Sequence, residues 1–467
     1  MVKRNRPNVI VFFTDQQRWD TLGANGNPAE ITPNLDRYAK YGTNFEHAFT
    51  CQPVCGPARS CVQSGMYATT TGCYRNGIPL PSTTRTLGSH FQSAGYQTAY
   101  IGKWHLASSN PVAAAERQGY DHWLGSNALE HTSDAYDTSL YDGDGHRVRL
   151  PGYRVDALTD AAIRYIDGHA DDPFFLFLSF LEPHHQNHRD DYPAPVGYRE
   201  RYAGKWMPPD LAALGGTAAQ QMGGYMGMIK RLDEAFGRLT DCLTSLKLLE
   251  DTIIVFTSDH GNHFKTRNRE YKRSCHDSSI RVPMVIGGRD FNGGGTVQEL
   301  VSLIDLPPTL LDAAGIAVPD EMQGKSVLPL VRRTPVSWPE EVFVQISESQ
   351  IGRCIRTKRW KYSVSAPEGE NLRKPSATSY VEEFLYDLAS DPYELTNLID
   401  KESHKKVAAV LRERLLERIY DVEAERPTIQ VADKKPSGQR IVFDEELPFQ
   451  NDDAEAAVDE PLVVKSY

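Results

Sequence analysis

Residues 8–16 read Asn8-Val9-Ile10-Val11-Phe12-Phe13-Thr14-Asp15-Gln16. Five apolar residues in an unbroken run, with no polar alternation, suit a strand buried on both faces, as parallel strands are. Three other segments share the pattern: 97–101, 173–180 and 252–257. Each runs straight into ionisable side chains. The first stretch ends in Asp15-Gln16 and the second in Gly102-Lys103-Trp104-His105. The third ends in Glu182-Pro183-His184-His185 and the fourth in Ser258-Asp259-His260-Gly261. Ligands of open α/β sheets bind beyond the carboxyl ends of the strands, so four strands delivering such residues at one edge predict a single site.

Helical patterns lie between the strands. One covers 33–40, with Thr32 as N-cap, Pro33 in the first turn and Gly42 past the end; another covers 87–93 and stops at Gly95. Alternating strands and helices predict an α/β fold with a large, mostly parallel central sheet flanked by helices over residues 1–335. The texture then changes. Short strands at 341–346, 352–357 and 359–364, the segment Phe384-Leu385-Tyr386-Asp387 and a helix near 405–420 predict a smaller C-terminal antiparallel sheet with one helix over 336–425. Residues 426–467, with an acidic stretch at 451–460, read as an irregular tail.

Composition narrows the function. The 467 residues are 40% apolar and 24% charged, which is globular. A net charge of −11, from 51 basic and 62 acidic residues, argues against nucleic acid as a partner. It leaves small anions open, since they need only a local positive pocket. Lys3, Arg4 and Arg6 ahead of the run 9–13 resemble the start of a signal peptide, but that run is too short and lacks a cleavage site. The expectation is a cytoplasmic protein, or a periplasmic or secreted one whose signal has been removed. No segment has the roughly 18 apolar residues of a membrane span. Cysteines at 51, 55, 61, 73, 242, 275 and 354 are odd in number and lack tight zinc-site spacing. This speaks against a disulfide scaffold, a zinc site or a redox protein.

The sharpest local signal is Cys51-Gln-Pro-Val-Cys55-Gly-Pro57-Ala-Arg59-Ser60. Read alone, Cys55 is a thiol at a helix start, where the helix dipole lowers its pKa. Together with Pro57 and Arg59, it resembles the Cys-x-Pro-x-Arg signature of formylglycine-dependent sulfatases, of the alkaline phosphatase-like superfamily. The resemblance spans about residues 8–400. It includes Asp15-Gln16, Gly102-Lys103-Trp104-His105, Pro183-His184, Ser258-Asp259-His260-Gly261 and Lys272 ahead of Arg281-Val282-Pro283. The segments Leu385-Tyr386-Asp387, Asp391-Pro392 and Asn397-Leu398 extend it.

That resemblance implies a sulfuric ester hydrolase whose Cys55 is converted to formylglycine (3-oxoalanine) by a formylglycine-generating maturation enzyme. The aldehyde hydrates to a diol, one hydroxyl of which attacks sulfur while the other later expels sulfate. Asp15, Gln16, Cys55, Asp259 and His260 are implied metal ligands. Oxygen-rich ligands favour Ca2+, with Mg2+ and Mn2+ compatible. Two positions depart from the family pattern: many relatives carry a second Asp in place of Gln16, and Asn in place of His260, which implies weaker metal binding. Arg59, Lys103, His105, His184 and Lys272 are the implied anion pocket and proton carriers. His185, His188, Arg189 and His276 are expected at the substrate rim. Trp104 and Trp123 suit either sugar stacking or core packing. The loop 261–277 looks most like that of bacterial carbohydrate sulfatases, which implies a sulfated carbohydrate, possibly an oligosaccharide derived from a polysaccharide. The alternatives are a phosphonate monoester hydrolase or phosphodiesterase of the same superfamily, or a non-catalytic anion-binding homologue.

Overall fold

A computed structural model describes residues 6–432. Lys3, Arg4 and the acidic stretch 451–460 lie outside the described residues. Eleven strands form the main sheet: β1 (Asn8–Thr14), β2 (Thr43–Phe49), β3 (Gln97–Lys103), β4 (His122–Ser126), β5 (Thr138–Tyr141), β6 (Arg147–Leu150), β7 (Phe174–Ser179), β8 (Thr252–Ser258), β9 (Arg281–Val282), β10 (Met284–Gly287) and β11 (Gly295–Ser302). Their order is β11-β2-β10-β8-β1-β7-β3-β4-β5-β6, with β9 beside β2. The four runs picked out by sequence are the central, mutually parallel strands β8, β1, β7 and β3. Antiparallel pairs appear further out, at β10, β5 and β6.

β1 shows why its run is continuous. Val9, Val11 and Phe13 enter one core, with Val62, Phe91 and Leu310 from helices Cys55–Ser64, Leu87–Ser93 and Leu306–Ala313. Ile10 and Phe12 enter the other, with Leu158 and Phe236 from helices Arg154–Gly168 and Ala218–Ser245. Successive strand residues face opposite ways, so a sheet covered on both sides needs apolar residues at every position. The helix at Pro33–Tyr41 forms as expected, but Thr32 does not cap it through its side chain. Its hydroxyl instead accepts from the Gly23 amide and donates to Asp36. Trp104 and Trp123 are buried in the first core, which settles them as packing residues.

The second sheet comprises β12 (Glu341–Ile346), β13 (Gly352–Thr357), β14 (Trp360–Ser365), β15 (Ser379–Asp387) and β16 (Thr428–Gln430). Helix Lys405–Glu423 packs Leu411, Leu415 and Ile419 onto Ile355 and Tyr362 of this sheet. β16 joins β15 in parallel, so pairing continues past residue 425, where the sequence pattern suggested an irregular tail. Three residues are too short to show a strand period.

A buried charge cluster fastens the two sheets together. Lys361 on β14 reaches Asp277 at 2.5 Å and also pairs with Glu394, while Arg356 meets Asp277 at 3.2 Å. Removing one partner from a buried pair strands the other charge at a cost of about 3–5 kcal/mol. Lys361→Met is therefore expected to destabilise the fold by about that amount. A shift in the urea midpoint measures this, and a shift under about 1 kcal/mol would show the cluster to be dispensable.

Candidate active site

Strand register builds the centre of the site. Thr14 pairs with Ser258, so the next residues, Asp15 and Asp259, emerge side by side from β1 and β8. Both carboxylates are fully buried. Like charges so close in a dry setting resist ionisation together. Burial and the charge of Asp15 push Asp259 up to about 6. Asp15 stays well below the carboxylate range, because Lys103, His184 and Arg59 outweigh its burial.

On the next strands, β3 and β7, Gly102 is paired with Ser179. Gly102 has φ +112°, and a Cβ there would lie 1.8 Å from the Ser179 carbonyl oxygen. Only glycine allows this approach. Lys103 follows, its Nζ 2.9 Å from Asp15 Oδ2 and 3.0 Å from Glu130 Oε1. These pairings hold its pKa up despite burial. Gln16 and His105, both just past strand ends, adopt left-handed φ of 67° and 62°. Such backbone is costly for residues with a side chain and concentrates at functional sites.

Helix Cys55–Ser64 brings Cys55 to the same point. Cys55 is its first residue, and all ten residues are buried. Arg59 lies one turn on and so shares the face of Cys55. Its guanidinium reaches Asp15 at 2.9 Å, Asp259 at 3.3 Å and the Ser179 hydroxyl at 2.7 Å. Lys272 Nζ sits 2.8 Å from Cys55 Sγ and 3.2 Å from His184 Nε2. Burial alone would raise the Cys55 thiol, but Lys103, Lys272, His260 and a hydrogen bond with His105 hold it well below its ordinary value. Burial and Lys272 push His184 down, so it is neutral near pH 7. Its Nδ1 lies 2.6 Å from the His185 carbonyl and donates to it, which leaves Nε2 to accept from Lys272.

The chemistry of these donors fits a divalent cation. Ligand atoms of Asp15, Cys55, Asp259 and His260 all lie within 4.8 Å of one another. His260 Nδ1 donates to the Gly261 carbonyl at 2.9 Å, which turns Nε2 towards Cys55 Sγ, Asp259 Oδ1 and Asp15 Oδ1 at 3.3, 3.5 and 3.7 Å. A ring lone pair facing two carboxylates suits coordination. Asp259 Oδ2 is buried without a hydrogen-bond partner. Gln16 directs its amide nitrogen to the Tyr192 hydroxyl (3.1 Å), and its Oε1 is likewise buried and unpartnered.

The sulfatase family profile matches residues 7–316, about two thirds of the protein. The chain belongs to the sulfatase family. A second profile, the C-terminal part of N-sulphoglucosamine sulphohydrolase, matches residues 270–421. This sulfatase is 31% identical to an ulvan-active sulfatase of Formosa agariphila, over 89% of this chain and 82% of that one. It is 25% identical to an N-acetylglucosamine-6-O-sulfatase of Bacteroides thetaiotaomicron, over 88% of this chain and 86% of the relative. A solved structure in complex with its substrate D-glucosamine-2-N,6-O-disulfate superposes with TM-score 0.75 at 25% identity, covering 92% of this chain and 100% of that one. The protein is thus a sulfuric ester hydrolase with the alkaline phosphatase-like fold.

The rim residues divide. His185 stacks between His184 and Tyr271, at 4.3 and 4.2 Å, beside the anion pocket. His188 and Arg189 are exposed and both pair with Asp134. His276 is not at the rim. It is buried, 3.0 Å from the Tyr386 hydroxyl and packed on Phe384, where it helps seal the second sheet to the first. A histidine in a polar loop gives no sign from sequence that the loop is roofed by another sheet. Sequence reasoning also missed Glu130, Ser179, Tyr192 and Asn76, whose side chain accepts from the Gly56 amide at 3.0 Å. They lie in different parts of the chain and meet the site only through folding.

The raised Asp259 pKa has a pH signature. A carboxyl with a folded pKa of about 6, against 3.8 unfolded, favours the fold only while protonated. Its contribution is complete below pH 3.8 and is lost as pH rises through 6. In chelator, wild type is expected to lose roughly 3 kcal/mol relative to Asp259→Asn between pH 4 and 7. Saturating Ca2+ should reverse the order near pH 7. Denaturation across that range checks this, and a pH-independent difference would refute it.

Proposed function

We propose that this sulfatase removes sulfate from a sulfated carbohydrate, with an oxygen nucleophile made from Cys55 by a formylglycine-generating enzyme. The carrying observation is the position of Cys55 Sγ, at a helix N-terminus, 2.8 Å from Lys272 and 3.3 Å from His260. A thiol has no second hydroxyl with which to expel sulfate, whereas hydrated formylglycine would supply an oxygen nucleophile there and a second hydroxyl whose proton loss regenerates the aldehyde as sulfate leaves. One Ca2+ held by Asp15, Gln16, residue 55, Asp259 and His260 would supply positive charge beside the ester oxygens.

The chain's own groups do the rest. Arg59 fixes both carboxylates and keeps the nucleophile's helix in register with β1 and β8. Lys103 and Lys272 place ammonium groups where negative charge develops, in a pocket that excludes water. His184 and Lys272 share a proton across 3.2 Å and can deliver it to the departing alcohol oxygen. His105, with Nδ1 buried and unpartnered, stands ready to hold a proton at residue 55. The sugar reading is supported by relatives named for ulvan and N-acetylglucosamine sulfates. His185, His188 and Arg189 would then meet the sugar at the pocket mouth.

Co-expression with a formylglycine-generating enzyme should shift the mass of the Cys55 peptide to that of the aldehyde. The matured protein should release sulfate from a sulfated sugar. Cys55→Ala should abolish this, and Lys272→Ala or His184→Ala should lower kcat by ~10²–10³. An unmodified Cys55 peptide, in a host where a control sulfatase is matured, would overturn the reading.

A further inference from the structure

Glu130 belongs to none of the motifs, yet its carboxylate stands against the anion pocket. It sits on the short helix Leu129–Thr132, just after β4, whose Ser126 pairs with Lys103. One oxygen holds Lys103 Nζ at 3.0 Å, opposite Asp15 at 2.9 Å. The other, Oε2, is buried and has no hydrogen-bond partner. Through Lys103, which also meets Asp15, the carboxylate stands one ion pair away from the buried aspartates. Its position is held rigidly. Gln186 donates to the Glu130 carbonyl at 2.9 Å, and Arg154 binds Gln186 while pairing with Glu182.

A count of fixed charge suggests what it does. Three cations, Arg59, Lys103 and Lys272, lie within 3.3 Å of Cys55, Asp15 or Asp259. Asp15 and Asp259 cancel two of them, and Glu130 cancels the third. Without Glu130 the side chains beside residue 55 would carry one net positive charge, and with it they carry none. A sulfate monoester brings one negative charge and a phosphate monoester nearly two. In a buried, weakly screened setting each added charge interacts strongly with a fixed carboxylate. We propose that Glu130 is a specificity-determining residue that disfavours dianionic phosphate esters and so reserves the pocket for monoanionic sulfate esters. This rests on the sulfatase reading of the pocket, and acts through charge rather than through contact with the reacting atoms.

The test is calorimetric binding of methyl sulfate and methyl phosphate at pH 8, in Ca2+, with Cys55→Ala present throughout to prevent turnover. These esters share a shape and differ in charge. The Cys55→Ala protein should bind methyl sulfate at least about tenfold more tightly than methyl phosphate. Adding Glu130→Gln should shrink that ratio by about tenfold, chiefly by tightening methyl phosphate, since tenfold in affinity is the scale of one modest charge interaction. Glu130→Asp keeps the charge while shortening its reach to Lys103, and should keep the preference. If Gln instead weakens both esters equally, Glu130 only positions Lys103 and the proposal falls. If neither ester binds the Cys55→Ala protein, it is the anion-pocket reading itself that fails.

Discussion

Two buried carboxylates on adjacent strands, Asp15 and Asp259, are the constraint around which the rest of the site is arranged. Neither can be charged in the core without cations nearby, and the fold supplies them from two directions. Arg59 comes from helix Cys55–Ser64 and Lys103 from the next strand but one, while His260, just past β8, turns its ring lone pair towards both carboxylates. A hard divalent cation completes the same balance, which is why the donor set suits one. The cluster is also why the nucleophile lies where it does. Arg59 cannot reach both carboxylates unless Cys55, one helical turn earlier, stands over the same point.

The second sheet acts on the site indirectly, by clamping the segments that carry it. The amide of Gln345 donates to the Cys51 carbonyl at 2.8 Å, and Gln52 donates to the Ser347 hydroxyl at 2.7 Å. Glu348 accepts from the amide of Asn76, whose own side chain holds Gly56. Cys51, Cys61 and Tyr67 pack into the core of this second sheet. Cys51 and Cys61 are thus packing residues beside and within helix Cys55–Ser64. Asp277 and His276 anchor the far end of the loop that brings Lys272 to the site. A loop of that length holds a lysine to within hydrogen-bond distance only when both ends are tied, and the buried ion cluster ties one of them.

Specificity and catalysis separate physically in this arrangement. On the proposed reading, the groups around residue 55 meet the transferred anion. Further out, His185 lies against aromatic Tyr271, and His188 and Arg189 pair with the partly buried carboxylate of Asp134. The inner groups are fixed by burial and by strained backbone at Gln16 and His105. His188 and Arg189 are exposed to solvent, where substitutions disturb buried groups least.

The amino-acid sequence specifies the central strands, because burial on both faces forces continuous apolar runs, and their bounds at β1 and β8 were legible almost to the residue. It also determined which residues stand at the strand ends, since chain order places Asp15, Lys103, His184 and Asp259 there whatever the loops do. Local spacing joined Cys55 to Arg59 through one turn of helix. Partners from remote segments emerge only on folding. That Glu130 neutralises Lys103, that Asn76 braces Gly56, that His276 is roofed by Phe384 and Tyr386, and that 428–430 closes the second sheet all depend on packing between distant stretches. No periodicity or motif encodes such pairings, because the energy of a buried charge or hydrogen bond is fixed by its surroundings and not by its neighbours in the chain.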